Sequence, residues 1–247
     1  MLNKFLNSHH NYIVLDKSFL QGCSDVNFQA FVNSGRCPVV TAELYVEVCT
    51  DENKMRSKKL LARLYNSPAY LIEHIGTLYN YEIENHRPSG PIIPSLLNQR
   101  KLNPRFNFDF DQEQMGQIND EKHYLEEESA DAFGPIVKEI LHRAPSLDND
   151  KIRSIDYIRK VYGYLTTKKS TFPPSEILDE RWALYRKVQM DLLASRDYAY
   201  SSKKKAHDSI DLRICIMGAL VGALAVRDGK IKNYFKIICP TGEIIEK

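Results

Sequence analysis

The chain has 247 residues, a hydrophobic content of 43% and a net charge of +2. These values exclude a chain that is disordered throughout, because enough apolar side chains are present to build a full core. The charge alone indicates neither nucleic-acid binding nor its absence. The five cysteines are odd in number and show no CxxC spacing, which predicts reduced thiols rather than a zinc module.

The start of the sequence, MLNKFLNSHHN, lacks the continuous apolar run of a signal peptide, so we expect a cytoplasmic protein. The apolar run from Ile214 to Val226 is shorter than the roughly twenty residues that a membrane span requires. We therefore expect no association with a membrane.

Two short apolar runs near the start predict buried strands, at Tyr12–Leu15 and Cys37–Thr41. A short amphipathic segment at 27–33 lies between them. A helix is expected from Ala42 onward, because leucines and valines recur there at helical intervals. The pattern leaves open whether this helix breaks near Thr50.

The middle of the chain predicts a large, mostly helical insertion at about 81–204. Four prolines within 88–104 predict a loop at its boundary. Apolar residues at helical spacing predict helices at 152–165 and 178–192, and the acid-rich segment 109–131 is expected to be solvated. The insertion could form a lid, a surface for a regulatory protein partner or a dimer contact.

The C-terminal part predicts a buried helix at Asp208–Val221 that ends at Gly222, followed by a third buried strand in the sequence ALAV. The segment NYFKIICPTGEIIEK is expected to form a strand, a turn and a final strand.

The alternation of strands and helices predicts an α/β fold with a mainly parallel central sheet. We expect one domain, 1–247, with its core in 10–80 and 205–247.

Four acidic residues from distant parts of the sequence are expected at the carboxyl edge of this sheet, where α/β proteins bind ligands. Asp16 follows the first strand, Glu43 the second and Asp228 the third, while Asp211 lies near the start of the C-terminal helix. Carboxylates gathered in this way repel one another unless a cation joins them. The sequence therefore predicts a site for Mg²⁺ or Mn²⁺.

Three sequence motifs resemble those of the PIN-domain nucleases. YIVLDKSFL is similar to the first motif, with Ser18 as its small polar residue, and VVTAELYVEV is similar to the second, which carries Glu43. DLRICIMGALVGALAVRD resembles the closing pair of acids, Asp211 and Asp228. The family usually has Thr or Ser two positions before the last acid, whereas this chain has Val226.

The resemblance implies a PIN-like three-layer sandwich that hydrolyses phosphodiester bonds with a metal ion. Asp16, Glu43 and Asp211 would be direct or water-mediated ligands, and Asp228 would hold a second cation or orient the attacking water. RNA is favoured over DNA as the substrate, because most of the family cuts RNA. Small bacterial members often act as toxins or defence effectors, which implies an inhibitory or regulatory protein partner, and a homodimer is also compatible.

Further residues could contribute to such a site. Ser18 lies beside the first acid, and Glu47 could substitute for Glu43 or simply be solvated. Asp208 is either an additional ligand or the N-cap of its helix. The basic run Lys203, Lys204 and Lys205 either binds the nucleic-acid backbone or forms a solvated face.

Several other functions stay open from the sequence. A DNA nuclease would use the same acids, and an inactive PIN-like module could bind RNA or a protein partner. Haloacid-dehalogenase-like phosphatases and receiver domains fit less well. The first would need an acid where Ser18 stands, and the second would need a phospho-accepting Asp that CPVVTAEL does not supply.

Overall fold

The computed structural model describes residues 11–67, 69–72, 110–129 and 202–246, without the side chains of 124–129 and 202–209. The predicted loop at 88–104 and the predicted helices at 152–165 and 178–192 lie outside these ranges, as does most of the predicted insertion.

The chain divides into two compact units. One comprises 1–75, 90–125 and 213–247, and the other comprises 76–89 and 126–212. The described sheet belongs entirely to the first unit.

Twelve elements are described, in this order along the chain: β1 (Tyr12–Leu15), α1 (Lys17–Gly22), α2 (Asp25–Asn33), β2 (Cys37–Thr41), α3 (Ala42–Cys49), α4 (Lys54–Tyr65), β3 (Tyr70–Ile72), α5 (Gln112–Ser129), α6 (Ser202–Val221), β4 (Ala223–Ala225), α7 (Gly229–Ile238) and β5 (Glu243–Ile245).

The five strands form one parallel sheet in the order β3-β2-β1-β4-β5. β1 lies at the centre, where Val14 is in register with Val39 of β2 and with Leu224 of β4. An α/β class with a parallel sheet, as the sequence predicts, is therefore confirmed.

The central strand β1 is a short apolar run because both of its faces are covered. Ile13, Val14 and Leu15 are all buried, although successive side chains of a strand point to opposite faces. Such continuous apolar runs are typical of parallel strands packed between other layers. The strand predictions at Tyr12–Leu15 and Cys37–Thr41 are confirmed.

The helix predicted from Ala42 breaks at Thr50, which is the C-cap residue of α3. At the other end of α3, Thr41 is the N-cap, and its hydroxyl oxygen accepts a hydrogen bond from the Leu44 N–H. α4 begins after a separate cap, Asn53. The break places Asp51 between two helices.

Two features of the sheet region differ from the sequence predictions. The strand β3 was not predicted, so the strand in ALAV is the fourth in the chain and not the third. The segment predicted as a strand from Asn233 instead belongs to the helix α7. Its buried residues, Ile231, Phe235 and Ile238, recur at helical spacing and not at the alternate positions of a strand.

The helix α6 begins at Ser202, so Asp208 lies inside it and is not its N-cap. Gly222 follows the helix with a φ of 90°, the left-handed conformation expected of a glycine that ends a helix. The final predicted strand is confirmed as β5.

Candidate functional site at the carboxyl edge of the sheet

Asp16 stands at the point where the central strand ends. Its backbone N–H donates to the carbonyl of Ala225 at 2.9 Å, which fixes the end of β1 against β4. Its carboxylate caps α1 and accepts a hydrogen bond from the Ser18 N–H at 2.7 Å. The residue is nevertheless only 3% exposed. The cap therefore holds a carboxylate at a nearly buried position.

Burial raises the pKa of Asp16 above its ordinary value. Hydrogen bonds with Ser18 act in the opposite direction, while the negative charges of Glu47 and Asp228 raise the pKa further. Glu47 and Asp228 therefore each interact electrostatically with Asp16 at this edge of the sheet.

Ser18 connects the first helix to the loop after β4. Its Oγ accepts hydrogen bonds from the backbone N–H groups of Arg227 and Asp228, at 3.0 and 3.1 Å. The Arg227 guanidinium donates to the carbonyl of Gly22 at the end of α1. The hydroxyl of Ser18 thus fixes the backbone at Asp228 relative to Asp16.

Asp228 is exposed and is the N-cap residue of α7. Its Oδ1 accepts hydrogen bonds from the N–H groups of Lys230 and Ile231, at 2.7 and 3.1 Å. Val226, two positions earlier, is buried, and its N–H donates to the carbonyl of Ile245. The strand pairing around Val226 therefore directs the chain so that Asp228 emerges at the edge of the sheet.

Glu43 lies in the first turn of α3 and is 0% exposed. No hydrogen-bond donor within the described ranges reaches either of its carboxylate oxygens. A buried carboxylate without a donor is costly, and a bound cation would offset that cost. The position of Glu43 in the first turn offers only the modest stabilisation of the helix dipole.

Glu47 and Asp51 share a lysine that extends from α1. The Lys17 Nζ lies 3.2 Å from Glu47 Oε1 and 3.3 Å from Asp51 Oδ2. The second oxygen of Asp51, Oδ1, accepts from the Arg56 guanidinium at 2.7 Å and from the Asn53 N–H at 2.9 Å. The two acids are therefore neutralised by two basic side chains.

Burial alone would raise the pKa of Asp51, whose side chain is 2% exposed. The hydrogen bonds from Arg56 and Asn53, together with the charge of Lys17, outweigh this effect and lower the pKa below its ordinary value. Asp51 is therefore a firmly ionised and paired carboxylate, in contrast to Asp16.

Glu47 and Asp228 each lie close enough to Asp16 for their charges to raise its pKa, and Glu43 lies one helical turn before Glu47 on the same helix. Asp211 is half-buried within α6. The convergence of Asp211 with the other acids stays a prediction.

The backbone of α6 includes Asp208 and the run of three lysines, Lys203, Lys204 and Lys205, but their side chains lie outside the described part of the structure. The prediction that these lysines bind a nucleic-acid backbone therefore stays a prediction.

The residues suit Mg²⁺ or Mn²⁺ in their chemistry, since carboxylate oxygens are the hard donors that these ions prefer. Glu43, with two buried oxygens that lack a donor, fits this role best. Among the described residues, no group of three or more His, Cys, Asp or Glu side chains forms a set that could hold a metal ion.

Sequence reasoning missed the contributions of Lys17, Asp51 and Arg56. The sequence contains one signal for Lys17, which directly follows Asp16. A helix that begins at Lys17 would point the lysine side chain away from the strand. No signal marked Asp51, whose partner Lys17 is distant in sequence and comes close only through the packing of α1 against α3.

Comparison with known proteins finds no matching family model, no matching curated protein and no matching solved structure. Within the described ranges, no helix combines the length and the apolar character needed to cross a membrane.

Proposed function

We propose that this chain is a metal-dependent nuclease with a PIN-like fold that hydrolyses phosphodiester bonds. The main support is that Asp16 and Asp228 follow two adjacent parallel strands, β1 and β4, and that the charge of Asp228 raises the pKa of Asp16. Glu43, at the end of the next strand, adds a buried carboxylate that no donor in the described ranges neutralises. The three residues belong to three separate motifs of the PIN-like pattern.

In this proposal the residues have distinct roles. Asp16, Glu43 and Asp211 hold the cation directly or through water, and Asp228 orients the attacking water or holds a second cation. When bound, Mg²⁺ or Mn²⁺ lowers the pKa of that water and offsets the charge that develops on the phosphate. The N-cap bonds of Asp228 use one oxygen, Oδ1, and they restrain the carboxylate.

Ser18 has a positioning role, because its hydroxyl holds the backbone that carries Asp228. Lys203, Lys204 and Lys205 would bind the phosphates that flank the scissile bond. The PIN-like resemblance favours RNA over DNA as the substrate, and it favours a toxin or defence role with an inhibitory or regulatory protein partner.

The test is a cleavage assay on labelled RNA and single-stranded DNA with Mn²⁺, Mg²⁺ or EDTA. Wild type is compared with Asp16→Asn and Asp211→Asn, and the matched control is Asp25→Asn, which changes an exposed acid that pairs with Arg63. We expect cleavage that EDTA abolishes, that both site variants lose and that the control retains. Equal cleavage by wild type and Asp16→Asn would rule out the proposal.

A second candidate is an inactive PIN-like module that binds RNA or a protein partner. The specific observation in its favour is Val226, a buried apolar residue where the family usually has Thr or Ser. The same experiment separates the two functions. RNA that is bound by folded protein but left intact with every cation supports the binding module, whereas metal-dependent cleavage excludes it.

A further inference from the structure

One face of the helix α4 is exposed and basic. The helix contains no acid, and its five bases are Lys54, Arg56, Lys58, Lys59 and Arg63. Its apolar residues Leu60, Leu61 and Leu64 are buried, which turns the opposite face towards solvent. That face, the basic face, consists of Lys54, Met55, Lys58 and Lys59, all of which are exposed. Met55 is 86% exposed among the lysines.

The bases of α4 outnumber the acids described around them. Asp51 pairs with Arg56, and Asp25 pairs with Arg63 and, at 3.6 Å, with Lys59. Glu52 directly precedes the N-cap of the helix, so five bases stand against three acids. The side chain of Lys59 is 60% exposed, and an exposed pair of this kind holds its lysine only weakly. The basic face therefore presents surplus positive charge to solvent.

Helix stability does not account for the bases at the start of α4. Lys54 is the first residue after the N-cap, Asn53, and Arg56 is the third. The first turn of a helix favours acids, because its free N–H groups carry partial positive charge. Arg56 is offset by Asp51, whereas Lys54 adds its charge to that of the helix end. Residues that break a local rule in this way are expected where they serve a function.

The start of α4 lies at the carboxyl edge of the sheet, beside the proposed site. β2 and β3 are parallel, so the chain returns from the carboxyl end of β2 to the amino end of β3, and α4 is part of that return. Arg56 Nη2 is 2.7 Å from Asp51 Oδ1, and Asp51 Oδ2 is 3.3 Å from Lys17 Nζ. Lys17 directly follows Asp16. Two side-chain contacts therefore connect the first turn of α4 to the neighbour of the first acid.

We propose that the basic face of α4 binds the phosphate backbone of single-stranded RNA next to the proposed site. The inference rests on the proposed function, and it names the surface that holds the substrate strand beside the bond to be cleaved. Lysine ammonium groups neutralise backbone phosphates and release their counterions. Such contacts position the strand without reading its sequence. Met55 offers an adaptable apolar side chain to the sugars and bases of the same strand.

The test measures the binding of labelled single-stranded RNA by fluorescence anisotropy, in EDTA to prevent metal-dependent cleavage, at a series of salt concentrations. Wild type is compared with Lys54→Gln/Lys59→Gln, which removes two charges with little change in helix propensity. The matched control, Arg36→Gln/Lys236→Gln, removes two charges at the amino edge of the sheet. Arg36 directly precedes β2, and Lys236 donates to the carbonyl of Gly242 just before β5. Circular dichroism verifies folding, and Lys54→Gln alone is used if the double variant does not fold.

For a single strand, each phosphate contact contributes about 0.7 to the slope of log K against log salt concentration. We therefore expect the slope to become shallower by about 1.4 in Lys54→Gln/Lys59→Gln, or by about 0.7 in Lys54→Gln, and to stay unchanged in the control. The change should be the same for two RNAs of unrelated sequence. An unchanged slope in the folded variant, an equal change in the control, or a wild type that binds no RNA at low salt would overturn the proposal.

The result is separable from the nuclease assay. A wild type that binds RNA and cleaves it with no cation, together with the expected change of slope, supports the basic face and contradicts the nuclease. Metal-dependent cleavage together with an unchanged slope in the folded variant supports the nuclease and contradicts the role of the basic face.

Discussion

Replacing Ser18 with alanine tests whether its hydroxyl holds the loop that carries Asp228. The change removes an acceptor that serves two backbone N–H groups, those of Arg227 and Asp228. Each net hydrogen bond is worth about 0.5–1.5 kcal/mol, and water replaces part of that value where the amides are exposed. We therefore expect a loss of about 1–2 kcal/mol in the free energy of unfolding.

A loss of this size has a measurable thermal consequence. For a chain of this length, 1 kcal/mol shifts Tm by about 2–4 °C, so the expected decrease is roughly 2–8 °C. Guanidinium unfolding followed by circular dichroism gives the free energy directly. Ser18→Thr, which retains a hydroxyl, should recover much of the loss.

The matched control for this experiment is Ser34→Ala. Ser34 donates a single hydrogen bond, at 2.7 Å, to the Phe31 carbonyl at the end of α2, away from the acids. It should lower stability without lowering cleavage, whereas Ser18→Ala should lower both. If Ser18→Ala unfolds at the wild-type midpoint, the hydroxyl does not bridge the two segments and the reasoning about Asp228 is wrong.

Three further predictions follow from the ionisable groups. Burial raises the folded-state pKa of Asp16, so the free energy of unfolding falls as the pH rises above about 4 and through that pKa. Asp16→Asn should therefore be more stable than wild type at pH 7 in EDTA. A lower guanidinium midpoint for the variant would contradict this. The folded-state pKa of Asp51 is lowered on balance, so the stability that its charge contributes is present above pH 3.8 and is lost as the pH falls through the folded pKa. Asp51→Asn should therefore have a lower guanidinium midpoint than wild type at pH 7. The difference between the two midpoints should shrink below pH 4. Burial raises the pKa of Cys49 to about 12, and Cys37 alone among the five cysteines is not fully buried. A thiol reagent at pH 8 should therefore modify at most one cysteine in the native protein. After denaturation it should modify all five.

The sequence predicted the strands best where a short apolar run is followed by a residue that caps a helix. Tyr12–Leu15 and Cys37–Thr41 were predictable, because a run of β-branched and other large apolar residues followed by a capping residue has few alternatives. β3 was not predictable, since it has only three residues and two of them are half-buried. Its pairing with β2, and not an intrinsic preference, makes it a strand.

The error at α7 has a different origin. The letters NYFKII contain the aromatic and β-branched residues that favour strands, but the N-cap at Asp228 and the spacing of Ile231, Phe235 and Ile238 both specify a helix. Local composition and periodicity disagreed, and burial of the periodic face decided the outcome. The same cap gives Asp228 a structural function, which the sequence pattern of a turn did not indicate.

The candidate site was predictable only in part for a related reason. Asp16, Glu43 and Asp228 follow strands, so the direction of a parallel sheet brings them to one edge. Lys17 and Asp51 join them through contacts between two helices that are distant in sequence. No short motif encodes that contact, and it becomes visible only when the helices are packed.

The position of β1 at the centre of the sheet affects how the chain must fold during synthesis. One edge of β1 pairs with β2, which follows closely, but the other edge pairs with β4, which follows only after the whole segment between Ile72 and Ala223. At about 5–20 residues per second, a ribosome needs roughly seven to thirty seconds to complete that segment. During that interval the open edge of β1 is exposed to chaperones and to neighbouring nascent chains, and the loop carrying Asp228 does not yet exist. The proposed site would therefore be incomplete until β4 and the loop carrying Asp228 have been translated.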